Sequence, residues 1–260
     1  MVIGEVSRLV PKPAYLRIAD ELRRGIRDGS YPPGGRLPTI ATLSTAHSVS
    51  EIVIRQAIAV LRGEGLVETR RGGGTVVRIR PPVRRVAMDR YRVETQPLTV
   101  PATSFTHDQR ITWSDYRLDR VYRRVRADAD LAALFELPPG TLLLRRRFVF
   151  YAKGEPQQIS INYLPWDVVA ETPVADPARE PWPGGTPAQL AYLGHPPTRV
   201  EEAVRARMPT PEESETLRMT GGVPVVTITR RMFSGDRVLE VCRDIIIPAD
   251  RIVLDYSIDL

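Results

Sequence analysis

The chain has a single cysteine, Cys242, in 260 residues. One thiol excludes an internal disulfide and a cysteine-rich metal cluster, and its setting in "VLEVCRDIII" predicts a buried, inert side chain. Lysine is almost as scarce: only Lys12 and Lys153 occur, so arginine carries nearly all of the positive charge. The three histidines, His47, His107 and His195, lie far apart, none at the spacing of a metal site. There is no nucleophile elbow, phosphate-binding loop or dinucleotide fingerprint. No apolar run reaches about eighteen residues, and "MVIGEVSRLVPKPAY" has no basic segment leading into an apolar one. The expectation is a cytoplasmic protein with no membrane span, signal peptide, catalytic residues, metal or cofactor.

What is present is an apolar fraction of 42%, enough for two modest domains with a core each. The net charge of +6 is unevenly spread. Residues 1–85 hold 15 basic against 7 acidic side chains, a net of +8, whereas residues 86–260 hold 22 against 24, a net of −2. A basic first third suggests contact with a polyanion there. A solvated surface with an arbitrary bias has the same totals, so the placing of the residues must decide.

"PAYLRIADELRRGIRDGSYPPGG" repeats Tyr15, Ile18, Ala19, Leu22 and Ile26 at helical spacing, then stops at Gly29 and a proline-glycine turn. "LPTIATLSTAHSV" offers Thr39 as the N-cap of a short second helix, with Ile40, Leu43 and Ala46 as its buried stripe. Ser50 can cap a third helix, whose apolar face is Ile54, Ala57, Ile58 and Leu61 until "GEG" breaks it. The strands "LVETR" and "TVVRI" follow, joined by "RGGG", where Gly72 to Gly74 can adopt positive φ. This is the pattern of a helix-turn-helix with a wing. Opposite the core stripe, the third helix presents Ile52, Arg55, Gln56 and Ala59. Arginine pairs bidentately with guanine and glutamine with adenine in the major groove. Arg70 and Arg71 at the wing base suit phosphates or the minor groove.

"YLRIADELRRGI", "PGGRLPT", "VSEIVIRQAI" and "LRGEGLVETRRGGGTVV", in this order, resemble the winged helix of GntR-family transcription regulators over residues 13–78. The resemblance implies DNA contacts at Arg36, Thr39, Ser50, Glu51, Ile52, Val53, Arg55, Gly72, Gly73, Gly74 and Thr75. Two positions depart from the family pattern: Ile40 where glutamate is usual, and Glu51 where arginine is usual. Glu51 has three candidate roles: accepting from cytosine, favouring the helix N-terminus, or holding a neighbouring arginine. The expected DNA-binding domain is residues 10–78.

"IRPPVRRVAMDRY", residues 79–91, has a proline pair and charges without periodicity and is expected to be a linker. Residues 93–119 have no clear pattern beyond an edge strand with a loop. "ADADLAALFEL" predicts a short helix ended by "PPG", and "TLLLRRRFVFYAKGEPQQISINYLP" two strands turning at Lys153 and Gly154. "TPAQLAYLG" and "PTPEESETLRM" predict helices, the latter capped by Thr210 with Pro211 in its first turn. "RVEEAVRARM" and "VPVVTITRRMFSGDRVLEVCRDIII" predict strands, with a hairpin at Gly235 and Asp236. Helix, glycine turn and two strands thus occur twice, which suggests one pseudo-symmetric antiparallel sheet in an α+β domain.

The phrases "LPPGTLLLRRRFVFYAKGEPQQISINYLP", "ARMPTPEESETLRM" and "GGVPVVTITRRMFSGDRVLEV" resemble the UTRA ligand-sensing domain of the HutC branch of that family, whose fold is similar to chorismate lyase. The likeness covers roughly residues 92–258, and the expected domain is 92–260. It implies an effector in a cleft against the sheet, often one presenting a carboxylate or phosphate. Arg145 and Arg147 share a strand face and can clamp an anion, with Arg146 pointing away. Ser160 and Tyr163 offer hydroxyls and Glu240 an acceptor, with Gly185 and Thr186 as further donors near the ligand. The same residues also suit ordinary outward-facing strand positions. The expected function is a sequence-specific, DNA-binding transcription regulator, a repressor, acting as a homodimer on a palindromic operator of double-stranded DNA and controlled by a small-molecule effector. The alternatives are a regulator with no effector and a lyase-type enzyme; a shared fold does not carry shared chemistry.

Overall fold

A computed structural model describes residues 12–70, 73–78, 83–86, 91, 102–219 and 222–256, apart from the side chains of Arg70 and Val86. The chain divides into two compact units, one up to residue 81 and one from residue 82.

The first unit is built from α1 (Ala14–Arg27), α2 (Ile40–His47), α3 (Glu51–Gly63), β1 (Val67–Arg70) and β2 (Gly74–Val77). Ile18, Ala19 and Leu22 of α1, Leu43 of α2 and Ile54, Ala57, Ile58 and Leu61 of α3 close on one another with Leu37, Val67 and Val77. Of the stripe expected on α2, Ala46 is exposed and Ile40 is half-buried against the core, so Leu43 is the fully buried anchor of this two-turn helix. β1 and β2 are antiparallel, with Gly74 at φ +75° beside the turn. The "PGGRLP" turn lies along β2: the amides of Gly34 and Leu37 donate to the carbonyls of Val77 and Thr75 at 2.9 Å. The turn therefore holds Arg36 next to the wing, opposite Val76.

The second unit begins with β3 (Val83–Val86), which pairs in parallel with β10 (Ile252–Asp255). The stretch 79–91 is thus not linker throughout. Arg85 is 1% exposed, which a solvated connector does not permit. Next come α4 (Ser104–Gln109), capped by Thr103, and β4 (Tyr116–Arg126). α4 and the start of β4 lie in the part of the sequence that had no clear pattern.

One six-stranded antiparallel sheet follows, in the order β4-β5-β6-β9-β8-β7. Its members beyond β4 are β5 (Leu142–Ala152), β6 (Glu155–Pro165), β7 (Arg199–Arg207), β8 (Val225–Ser234) and β9 (Arg237–Pro248). β4, α5 (Ala129–Phe135), β5 and β6 repeat as β7, α8 (Pro211–Thr216), β8 and β9, and the halves meet where β6 pairs with β9. This is the duplication legible in the sequence. α8 has the expected cap: Thr210 and Glu213 exchange bonds with each other's backbone amides.

Both sheet faces are covered. On one, Leu131, Ala132 and Phe135 of α5 pack on Leu143, Tyr163 and Val241, while Leu217 beyond α8 packs on Val149, Ile159 and Ile246. On the other, Val169 of α6 (Trp166–Val169) and Leu190 of α7 (Gly185–Tyr192) pack on Leu144, Leu164 and Met232. Among the described residues no helix is long and apolar enough to cross a membrane. Leu143 has no exposed surface. Leu143→Ala is expected to lower stability by about 2–5 kcal/mol in urea unfolding, whereas Ala46→Ser at the exposed α2 position moves it by less than about 0.5 kcal/mol.

Candidate nucleic-acid interface and ligand cavity

The turn between α2 and α3 is tight because Ser48 takes the left-handed conformation (φ 53°) and the Val49 amide donates to the Ser44 carbonyl at 3.1 Å. α3 therefore starts at once, with its inner face fixed by the core. Its outer face carries exposed Glu51, Ile52, Arg55 and Gln56. Ile52, at 68%, is the most exposed large apolar side chain among the described residues and has the methyl groups a thymine methyl would meet. Val53 is instead half-buried against the core, so it supports α3 rather than pointing outward. Ser50 precedes the helix as expected, but its hydroxyl makes no capping bond. Thr39 does cap α2, accepting from the Thr42 amide at 3.1 Å.

Glu51 has a partner. Arg55 Nη2 donates to Glu51 Oε2 at 3.1 Å, one helical turn along, and both side chains are more than half exposed. Two of the three candidate roles have a geometric basis: Glu51 stands in the first turn of α3, where a carboxylate favours the helix N-terminus, and it holds Arg55. An exposed pair of this kind is worth only about 0.3–0.5 kcal/mol, so a nearby base or phosphate can re-partner either member. Arg36 is exposed beside the wing, and Gly73, Gly74 and Thr75 form its tip and second strand. Arg71, Gly72 and the side chain of Arg70 lie outside the described residues.

On the sheet face under α6 and α7 a cavity of about 80 Å³ opens between the strands, α4 and the start of α7. Phe105, Tyr116, Phe148, Phe150 and Trp182 line it, with Ser160, Asn162, Glu180, Thr186 and Arg230 among its polar groups. The rings of Phe105 and Phe150 are 5.1 Å apart and those of Phe148 and Phe150 5.9 Å. Burial, helped by the charge of Glu180, pushes the Tyr116 hydroxyl well above its ordinary range, so it stays neutral.

Behind the rings sits Arg146, with no exposed surface. Its Nε donates to Asn162 Oδ1 at 2.9 Å, Nη1 to Gln189 Oε1 at 2.7 Å and Nη2 to Thr186 Oγ1 at 3.1 Å. Glu180 completes the group: it accepts from Tyr122 (3.0 Å), Gln189 (2.7 Å) and the Trp182 amide (2.8 Å), 3.8 Å from the guanidinium. Arg230 is held on Glu240, through Nε at 3.1 Å and through Nη2. A charge taken out of water needs such partners to offset a desolvation cost of several kcal/mol.

The expected period of two along β5 holds, but the faces are exchanged. Arg146 faces the cavity side, whereas Arg145, Arg147 and Tyr163 lie on the face under α5 and α8, where Arg147 reaches Glu212 at 3.3 Å. Both faces are covered, so alternation alone could not say which one holds the cavity. Ser160 and Thr186 do line it, with Gly185. Ser160 also lies 3.1 Å from the Cys242 thiol, which burial pushes up to about 12. Glu240 is fully buried and sits behind Arg230. Sequence reasoning missed Arg146, Asn162, Glu180, Gln189 and Arg230. Asn162 interrupts a largely apolar stretch of its strand, whereas Arg146 and Arg230 stand beside other arginines and Glu180 and Gln189 lie off the sheet, where no such signal exists.

The model of the bacterial regulatory proteins of the gntR family matches residues 14–77, and that of the UTRA domain matches residues 120–252. An HTH-type transcriptional regulator of Streptomyces coelicolor is 30% identical over 227 residues, covering 85% of this chain and 84% of its own. A histidine utilization repressor of Pseudomonas putida is 28% identical, covering 86% and 84%. The crystal structure of a GntR-family transcriptional regulator superposes with a TM-score of 0.62 at 33% identity, over 96% of this chain and 98% of that one. For α3 the expected outcome is that Arg55→Ala removes the preference at the base pair it reads, a loss of about 1–3 kcal/mol of discrimination. Glu51→Arg changes which sequence is preferred. Fluorescence anisotropy on a panel of single-base operator variants checks both, and equal tightening on every sequence by Glu51→Arg would leave the glutamate as an electrostatic brake alone.

Proposed function

From the premise that this chain belongs to the GntR family, with a UTRA domain behind its winged helix, we propose that it is a repressor whose hold on an operator is set by a small molecule in the sheet cavity. The family consists of transcription regulators, not enzymes. That repression is the outcome is supported by relatives named as repressors, in Pseudomonas putida for histidine utilization and in Escherichia coli for mannosyl-D-glycerate transport and metabolism. The observation that carries the effector reading is the cavity itself. Polar groups converge behind an aromatic lining, as in small-molecule sites generally.

The two arginines at this site are paired already, Arg146 with amides and Glu180, Arg230 with Glu240. Local charge is therefore balanced. This supports a ligand with an aromatic or apolar body and hydrogen-bonding edges over the anion expected from Arg145 and Arg147. Residues up to 78 are taken as the DNA-binding domain and the rest as the sensor, with β3 belonging to the sensor. Two copies would join through their sensors and offer two α3 helices to a palindrome. A ligand changes operator affinity only by the difference between its affinities for the two states.

The test is anisotropy of the full chain on its own upstream DNA, with and without compounds first ranked by thermal shift. Binding should be sequence-selective and salt-sensitive. A true effector raises stability by about 2.7 kcal/mol at a hundred times its Kd and weakens operator binding in the same range. A compound that stabilises the chain and leaves operator affinity unchanged overturns the effector reading; tighter operator binding overturns repression relieved by ligand.

A further inference from the structure

β3 is the first element of the second unit, and only residues 78–82 separate it from the wing strand β2. It nevertheless carries the almost fully buried Arg85. The guanidinium of Arg85 donates to Glu202 of β7 and, at 3.1 Å, to the hydroxyl oxygen of Tyr91. Tyr91 in turn donates its proton to Glu202 at 2.6 Å. The same oxygen accepts from Arg230 Nη1 at 3.2 Å, and Arg230 lines the ligand cavity. One phenol oxygen thus stands between the cavity and the strand that follows the DNA-binding unit along the chain.

A phenol oxygen has one proton and two lone pairs. Here the proton goes to Glu202 and the lone pairs to Arg85 and Arg230, so its capacity is full. Arg85 is paired with Glu202 and Arg230 with Glu240, and the Tyr91 oxygen joins the two pairs. If Arg230 turns toward an acceptor in the cavity, Tyr91 loses a donor, and the Arg85–Glu202 pair must readjust in a buried setting where an unmet polar group is costly.

We propose that Tyr91 is a positioning residue through which occupancy of the cavity reaches β3, and through β3 the chain leading to the wing. The proposal rests on the reading that the cavity holds a ligand, and it adds how that ligand is felt. Tyr91 is not among the residues that line the cavity. It acts by linking Arg230 to Arg85.

The experiment is a double-mutant cycle on the full chain, with Tyr91→Phe, Arg230→Lys and the double variant. Operator affinity is measured by anisotropy on a site selected from random DNA, and amide exchange is followed across residues 83–86. Each single change is expected to shift operator Kd at least about fivefold in the same direction and to speed exchange in β3. The double variant should go no more than about twofold beyond the larger single effect, since the second change cuts a line already cut. Multiplicative effects in the double variant, or wild-type Kd and β3 exchange in Tyr91→Phe, overturn the proposal. A role in general stability alone lowers the melting temperature without this pattern. Should Arg230→Lys fail to fold, Glu240→Gln, which loosens the same guanidinium, takes its place. The cycle needs no ligand, so its failure leaves the effector reading standing, and failure of every compound in thermal shift leaves the cycle to be judged on its own result.

Discussion

A guanidinium buried in a sheet must be paired, and this constraint organises the C-terminal unit. The sheet is covered on both faces, so its central strands have no solvent side on which to place polar residues. Arg146, Asn162, Glu240 and Ser160 are accommodated only because partners come from elsewhere in the chain: Gln189 and Thr186 from α7, Glu180 from the loop before it, Arg230 from β8. The loop and α7 are drawn onto the sheet by these bonds as well as by Leu190. The cavity is the space left beside the network.

The first unit obeys a different constraint. Its core uses one face of each helix and leaves the outer face of α3 with no packing duty. Residues there are free to be chosen for what they meet outside the protein. That is why an exposed isoleucine and a glutamate-held arginine can persist at its start. The turn before α2 is bonded to β2, which holds Arg36 beside the wing.

Much of the plan was legible in the chain. Helical spacing named the inward residues of α1 and α3, glycine and proline marked the turns, and the repeated helix-hairpin unit announced a symmetric sheet. Two expectations differ from the structure for clear reasons. The linker at 79–91 looked unstructured because β3 has only four residues, too few to show a period, and its parallel partner lies 169 positions later. Arg145 and Arg147 were preferred over Arg146 because strand alternation gives two faces without labelling them.

The sequence by itself determined local structure and the outer face of α3, because periodicity, caps and turn residues act over a few positions. It also determined that "RRR" on β5 must split between two faces. Only the tertiary structure decided which face carries the cavity, since this depends on where α5, α6, α7 and α8 settle on the sheet. The partners of Arg146 and Arg230, and the meeting of Arg85, Tyr91 and Glu202, were likewise settled there. These contacts join residues 10 to 139 positions apart, and no local pattern specifies how such distant polar groups will satisfy one another once water is excluded.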